Sequence, residues 1–281
     1  MTSWRPRLVV LDLDGTTVGL NQVSPTPRVR RAVAAAIRAG VPVSVATGRP
    51  VWAALPTMTE LGLAVGAGGD EPEALSVVCS NGALVYDMVA HRAVHRRLVD
   101  PGPAVRALAK VRPEAGFAVE DGLAGYRYTA QFARDFPSTY LAEVDLEELA
   151  TIPTTRLCGR IPGVPIPTAH TQCEVAASWV VAAELDPERY SYEIGYAGWV
   201  DVAAPGVNKG SGVALLARDL GIDAEDVLVI GDGSNDLSMF AWAGRSIAMG
   251  QAPPEVQAAA DEVTLPVEED GVAHVLERWF G

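Results

Sequence analysis

Positive charge is scarce in this chain. The 22 lysines and arginines stand against 35 acidic residues, giving a net charge of −13 and a pI near 4.7. That balance excludes nucleic acid as a partner, because binding it needs a basic face that displaces phosphate counterions. The same field repels anions at long range, so an anion site here needs local cations, a metal ion among them. Cysteine is sparse as well. Cys79, Cys158 and Cys173 are odd in number and widely spaced, which suits neither a disulfide framework nor a zinc pair and reads as buried thiols. Long apolar runs are missing, so no membrane span is expected. The short apolar stretch after Arg7 meets Asp12 and Asp14 within a few positions, too soon for a secretory signal. The expectation is a cytoplasmic protein with no membrane partner.

What is present suits a globular fold. The 281 residues, 49% hydrophobic and 20% charged, can bury a sizeable core as one large domain or two modest ones. The N-terminal part alternates strand and helix. Leu8 to Leu11 reads as a buried strand, Thr26-Pro27 as the start of a helix, and Val41 to Ala46 as a second strand. Pro50 opens another helix towards Gly62, and that order implies a parallel sheet. Ala64 to Glu73 reads as a surface loop. Val77 to Cys79 and Ala83 to Tyr86 flank Ser80-Asn81-Gly82 as a hairpin would. From about Asp87 to Gly198 the pattern breaks into short apolar runs with frequent proline, an α+β insert. Helices are expected there over Pro101 to Val111 and Leu146 to Ala150, and strands over Leu157 to Ile161 and Glu174 to Ala183. Alternation then resumes with a helix from Lys209 to Leu220, a strand from Val227 to Ile230, another from Ser246 to Met249, and a last helix ending near Trp279.

Four constellations carry chemistry. In Asp12-Leu13-Asp14-Gly15-Thr16 the first carboxylate can attack phosphorus while the second moves protons, although a solvated acidic turn is the plainer reading of Asp-x-Asp alone. Thr47-Gly48-Arg49, at another strand end, offers a hydroxyl and a backbone amide to a phosphoryl oxygen, or is an ordinary turn. Lys209 opens a helix, against the helix dipole, which a bound phosphate would explain as well as plain solvation would. Gly231-Asp232-Gly233-Ser234-Asn235-Asp236 offers hard oxygen ligands to Mg²⁺. It lacks the later ligands of a calcium-binding EF-hand loop. Ligands of open α/β sheets gather beyond the carboxyl ends of the strands, so one sheet could unite all four.

In order and spacing these motifs, with Ser80-Asn81-Gly82-Ala83 and the large insert, resemble the haloacid dehalogenase-like superfamily and its Cof-type phosphatases with a C2 cap. The resemblance implies a Rossmann-like α/β parallel-sheet core over 1–86 and 199–281, and a cap over 87–198 that selects the substrate. It implies a Mg²⁺-dependent phosphatase that hydrolyses a small phosphorylated metabolite, such as a sugar phosphate, through an aspartyl-phosphate. Asp12 is then the nucleophile and a metal ligand. Asp14 is the general acid/base and lends its backbone carbonyl to the metal, and Asp232 completes the protein ligands. Thr47, Gly48, Arg49, Asn81, Lys209 and Asn235 surround the phosphate, with Asp236 behind them. Thr17 stands where similar proteins carry an apolar residue and is expected to be peripheral. Arg156, Arg160, His170, Trp179 and Tyr126 are the insert residues that could touch a leaving group. A phosphohexomutase-like phosphotransferase and a non-catalytic phospholigand sensor are the alternatives, and the sensor has no need of Asp14. The absence of membrane spans excludes the soluble domain of an ion-pumping ATPase.

Overall fold

A computed structural model describes residues 4–20, 22–63, 75–134, 136, 138–162, 169–195 and 198–281. The chain divides into two compact units, Met1–His95 with Asn208–Gly281, and Arg96–Val207.

The first unit begins with β1 (Leu8–Leu11), apolar and buried throughout, as suits a central parallel strand covered on both faces. The Thr26 hydroxyl accepts from Val29 N and caps α1 (Pro27–Arg38), with Pro27 placed where a missing N–H is harmless. Val29, Ala32, Val33 and Ala36 bury one face of that helix. β2 (Val43–Val45) and α2 (Val51–Glu60) repeat the unit. Then β3 (Ser76–Cys79) pairs antiparallel with β4 (Leu84–Asp87) across the tight turn Ser80–Gly82, and β5 (Arg92–Arg96) completes a three-stranded sheet. The loop expected over Ala64 to Glu73 lies outside the described residues.

The second unit contains α3 (Gly102–Val111), β6 (Gly116–Asp121), β7 (Gly125–Tyr128), β8 (Tyr140–Glu143), α4 (Leu146–Leu149) and β9 (Leu157–Arg160), followed by α5 (Ala169–Ala182), β10 (Ser191–Ile194) and β11 (Val200–Ala203). Its sheet runs β10-β11-β9-β6-β7-β8, antiparallel except where β7 lies beside β8. α5 corrects the strand expected over Glu174 to Ala183. Ala176, Trp179, Val180 and Ala183 are buried and recur at the three-to-four spacing of a helix. The Trp179 ring packs on Phe117, and its Nε1 donates to the Leu108 carbonyl at 2.9 Å.

The chain re-enters the first unit with α6 (Lys209–Asp219), β12 (Val227–Gly231), α7 (Leu237–Trp242) and β13 (Arg245–Ala248), then α8 (Pro254–Ala259), β14 (Glu262–Val263) and α9 (Gly271–Phe280). The main sheet runs β14-β13-β12-β1-β2 and is parallel throughout. The α/β parallel-sheet core expected from the sequence is therefore present. β1 sits between β2 and β12, so residues far apart in sequence end at one edge. Among the described residues no helix is long and apolar enough to cross a membrane.

Candidate active site

Parallel strands deliver their C-terminal ends to one edge of a sheet. Here β1 leads into Asp12, β2 into Thr47 and β12 into Asp232. The loop after β1 turns at Gly15, whose φ is +82° and whose missing Cβ would lie 2.2 Å from Asp232 Oδ2. Glycine is needed there for both the dihedral and the approach. Thr16 Oγ1 donates to Asp232 Oδ1 at 3.0 Å. Thr17, expected to be peripheral, is buried, and its hydroxyl donates to the Asp12 carbonyl at 2.6 Å.

The opposite wall comes from the turns after β2 and β3. Asn81 N donates to the Thr47 carbonyl at 3.1 Å, and Arg49 N donates to Thr47 Oγ1 at 3.1 Å. Asn81 is left-handed, with φ 52°, and its Oδ1 accepts from Asn235 Nδ2 at 3.1 Å. A Cβ on Gly48 would lie 3.1 Å from that same oxygen. Thr47, Gly48, Asn81 and Asn235 are thus neighbours.

Lys209 occupies the centre. It is 1% exposed, and its Nζ donates to Asp12 Oδ1 and to Asp236 Oδ1, both at 2.6 Å. Asp236 Oδ2 accepts from Asp232 N and Gly233 N at 2.8 Å, so both of its oxygens are engaged. Ligand oxygens of Asp12, Asp232 and Asp236 lie within 4.8 Å of one another. Three carboxylates against one ammonium leave a formal excess of two negative charges.

Burial makes that excess costly. It raises the Asp12 pKa well above the usual carboxylate range, and the nearby Asp236 and Asp232 charges raise it further while Lys209 opposes them. Asp232 is pushed up to about 6, first by burial and then by Asp236. For Lys209 burial works to lower the pKa, but Asp12 and Asp236 outweigh it and the ammonium is held. An oxygen-only donor set with surplus negative charge fits a hard divalent cation.

Asp14 and Arg49 pair with each other beside the cluster. The Asp14 carboxylate does not join the cluster. It faces Arg49, whose Nε and Nη2 donate to its two oxygens at 2.7 and 2.5 Å. Arg49 also donates to the Gln22 carbonyl at 2.9 Å, Thr57 Oγ1 at 3.3 Å and the Ala53 carbonyl at 3.5 Å. Five donors meet five acceptors, so no donor is left for a phosphoryl oxygen in this arrangement. Gln251, which no motif singled out, ties the site's two halves by donating to the Gly15 carbonyl at 2.6 Å and to Asp232 Oδ2 at 3.3 Å. Its only signal was its place beyond the end of β13.

Comparison with known proteins gives the family. The haloacid dehalogenase-like hydrolase family matches residues 9–144 and 173–276, most of the chain. The chain belongs to the haloacid dehalogenase-like hydrolases. Within them it falls with the Cof-type phosphatases and is an enzyme of that kind, in line with the resemblance drawn from its motifs. A putative phosphatase of Bacillus subtilis is 27% identical over 97% of both chains. Phosphoglycolate phosphatase of Methanothermobacter thermautotrophicus is 38% identical over 108 residues, which are 38% of this chain and 48% of that protein. Among solved structures, a subclass IIB sugar phosphatase of the superfamily shares the fold with a TM-score of 0.78 at 23% identity, over 96% of this chain and 98% of the other.

In the second unit, four of the five candidate leaving-group residues make contacts within it. Arg156 is buried and donates to Glu120, Asp201 and the Tyr126 hydroxyl, and Trp179 is a core residue. The Arg160 guanidinium lies over the Trp199 ring, 5.4 Å from its centre. The side chain of His170 lies outside the described residues.

Proposed function

We propose that the protein is a Mg²⁺-dependent phosphatase that hydrolyses small phosphate monoesters through an aspartyl-phosphate at Asp12. The observation that carries this reading is the buried triplet of Lys209, Asp12 and Asp236 beside Asp232, a fixed ammonium next to a carboxylate nucleophile and a surplus of negative charge. Asp12 and Asp232, with the backbone carbonyl of Asp14, would hold the metal. When bound, Mg²⁺ supplies the positive charge that lets a carboxylate approach a phosphate dianion. Asp236 stands behind them, its oxygens fixed by Lys209 and two amides.

Lys209 takes only Oδ1 of Asp12, and among the described residues Oδ2 has no hydrogen-bond partner. An Asp12 oxygen bonds to phosphorus as the ester P–O bond breaks, and Asp14 gives the departing oxygen its proton. Water then attacks the phosphorus, Asp14 takes a proton back, and phosphate leaves with Asp12 restored. Lys209 and the amides around Thr47 and Gly48 offset charge on the phosphoryl oxygens. The insert expected over 87–198 takes the role of the cap, choosing the leaving group. The sugar phosphatase among the structural relatives favours a sugar phosphate as substrate.

Free phosphate released from a panel of sugar phosphates tests this. Release should require Mg²⁺, cease with a chelator, and vanish in Asp12→Asn while the variant keeps its circular dichroism. Equal release by that variant, or transfer to a second sugar without free phosphate, would sink the reading.

A further inference from the structure

We infer that Arg49 is a positioning residue that fixes the carboxyl group of Asp14 for proton transfer, and not a phosphate ligand. The inference rests on the reading of Asp14 as general acid/base and deepens it. Arg49 is 6% exposed and built into the fold at three points besides Asp14: the Gln22 carbonyl, Thr57 Oγ1 and the Ala53 carbonyl, the last two on α2. Its guanidinium plane is therefore set before any substrate arrives. Asp14 belongs to a loop, and its side chain is 30% exposed, so nothing of comparable rigidity would otherwise orient it. A planar fork that meets both oxygens of a carboxylate fixes direction as well as distance.

The chemistry follows from which atoms are occupied. Both oxygens of Asp14 accept from the Arg49 fork, the bidentate pairing that suits a carboxylate. In the forward step the P–O ester bond breaks, the proton moves from Asp14 to the ester oxygen, and the carboxylate left behind is the one this fork receives. Arg49 thus acts on the half of the reaction that concerns the leaving group. It leaves the phosphoryl oxygens to Lys209 and the backbone.

Comparing kcat/KM for a simple alkyl phosphate and for nitrophenyl phosphate tests this. An alkoxide needs a proton to depart and a nitrophenolate does not, and kcat/KM reports only the steps through departure. Arg49→Met should lose about tenfold or more in kcat/KM for the alkyl ester beyond its loss for the aryl ester, within the range positioned acid catalysis supplies. Arg49→Lys, which keeps the charge but loses the fork, should fall between Arg49→Met and the wild type. It carries the same comparison if Arg49→Met does not fold. Asp14→Ala should show the same selectivity, and adding Arg49→Met to it should cost nothing more. Equal losses on both esters, or full additivity with Asp14→Ala, would overturn the inference and leave Asp14's role standing. No ester selectivity in Asp14→Ala would instead remove the reading beneath it.

Discussion

Lys209 is one of two lysines in the chain, the other being Lys110, and it is the one that is buried. Its ammonium stands between Asp12 and Asp236, so deleting it would leave carboxylates without a counter-charge where water cannot reach. Breaking a buried pair in this way costs about 3–5 kcal/mol, more than the interaction contributes net. Lys209→Ala should therefore lose activity and also lower the unfolding free energy of the metal-free protein, measured by urea titration, by about that much. A variant of unchanged stability would contradict the buried triplet. The sequence pointed to Lys209 because a cation at a helix start breaks a local rule. It could not point to the bond between Arg49 and Asp14, which spans 35 positions and depends on where α2 lies. Gln251 was equally hidden, since an amide side chain carries no signature of its own.

At the scale of elements, α6 aims the ammonium. Asn208 and Ser211 form a capping box, with Ser211 N donating to Asn208 Oδ1 at 2.8 Å and Asn208 N donating to Ser211 Oγ at 3.0 Å. Gly82 lies against this start. Its φ is +97°, and a Cβ there would come within 2.0 Å of the Asn208 carbonyl, so the turn that carries Asn81 packs directly on the helix that carries Lys209. Removing a cap costs about 1 kcal/mol. Asn208→Ala should lose that stability and also activity, because the first helical residue is Lys209. Thr26→Ala, which uncaps α1, should lose similar stability with activity unchanged. Matched activity in the two variants would argue against α6 as the aiming element. Most elements of the parallel core were legible because buried strands read as continuous apolar runs between helical periods. α5 was not, since its Val, Trp and Ala residues also suit a strand and only the spacing of the buried ones decides.

For the molecule as a whole, the acidic cluster couples stability to pH and metal. The folded Asp232 pKa of about 6 lies above the ordinary value of 3.8. A group raised on folding contributes stability that is complete below its unfolded pKa and is lost as pH rises through its folded pKa. Asp12 is raised too and adds in the same direction. The metal-free protein should thus lose about 1–3 kcal/mol from these groups between about pH 4 and about pH 7, a change of several degrees in Tm. Mg²⁺ should raise Tm more near neutral pH than near pH 5. An increment independent of pH would mean that these carboxylates are not the site of binding. The net charge of −13 was legible from composition alone. That two charges of this surplus are buried together required the sheet to bring β1 and β12 side by side.

The central claim is that Asp12 becomes phosphorylated, and borohydride trapping tests it most directly. The enzyme is quenched during turnover, treated with borohydride, and digested for peptide mass spectrometry. An acyl phosphate is reduced to an alcohol where a free carboxylate is not, so the account predicts reduction at Asp12, absent without substrate and absent in Asp12→Asn. Reduction at another carboxylate, or an unmodified Asp12 in enzyme quenched at full turnover, would contradict it.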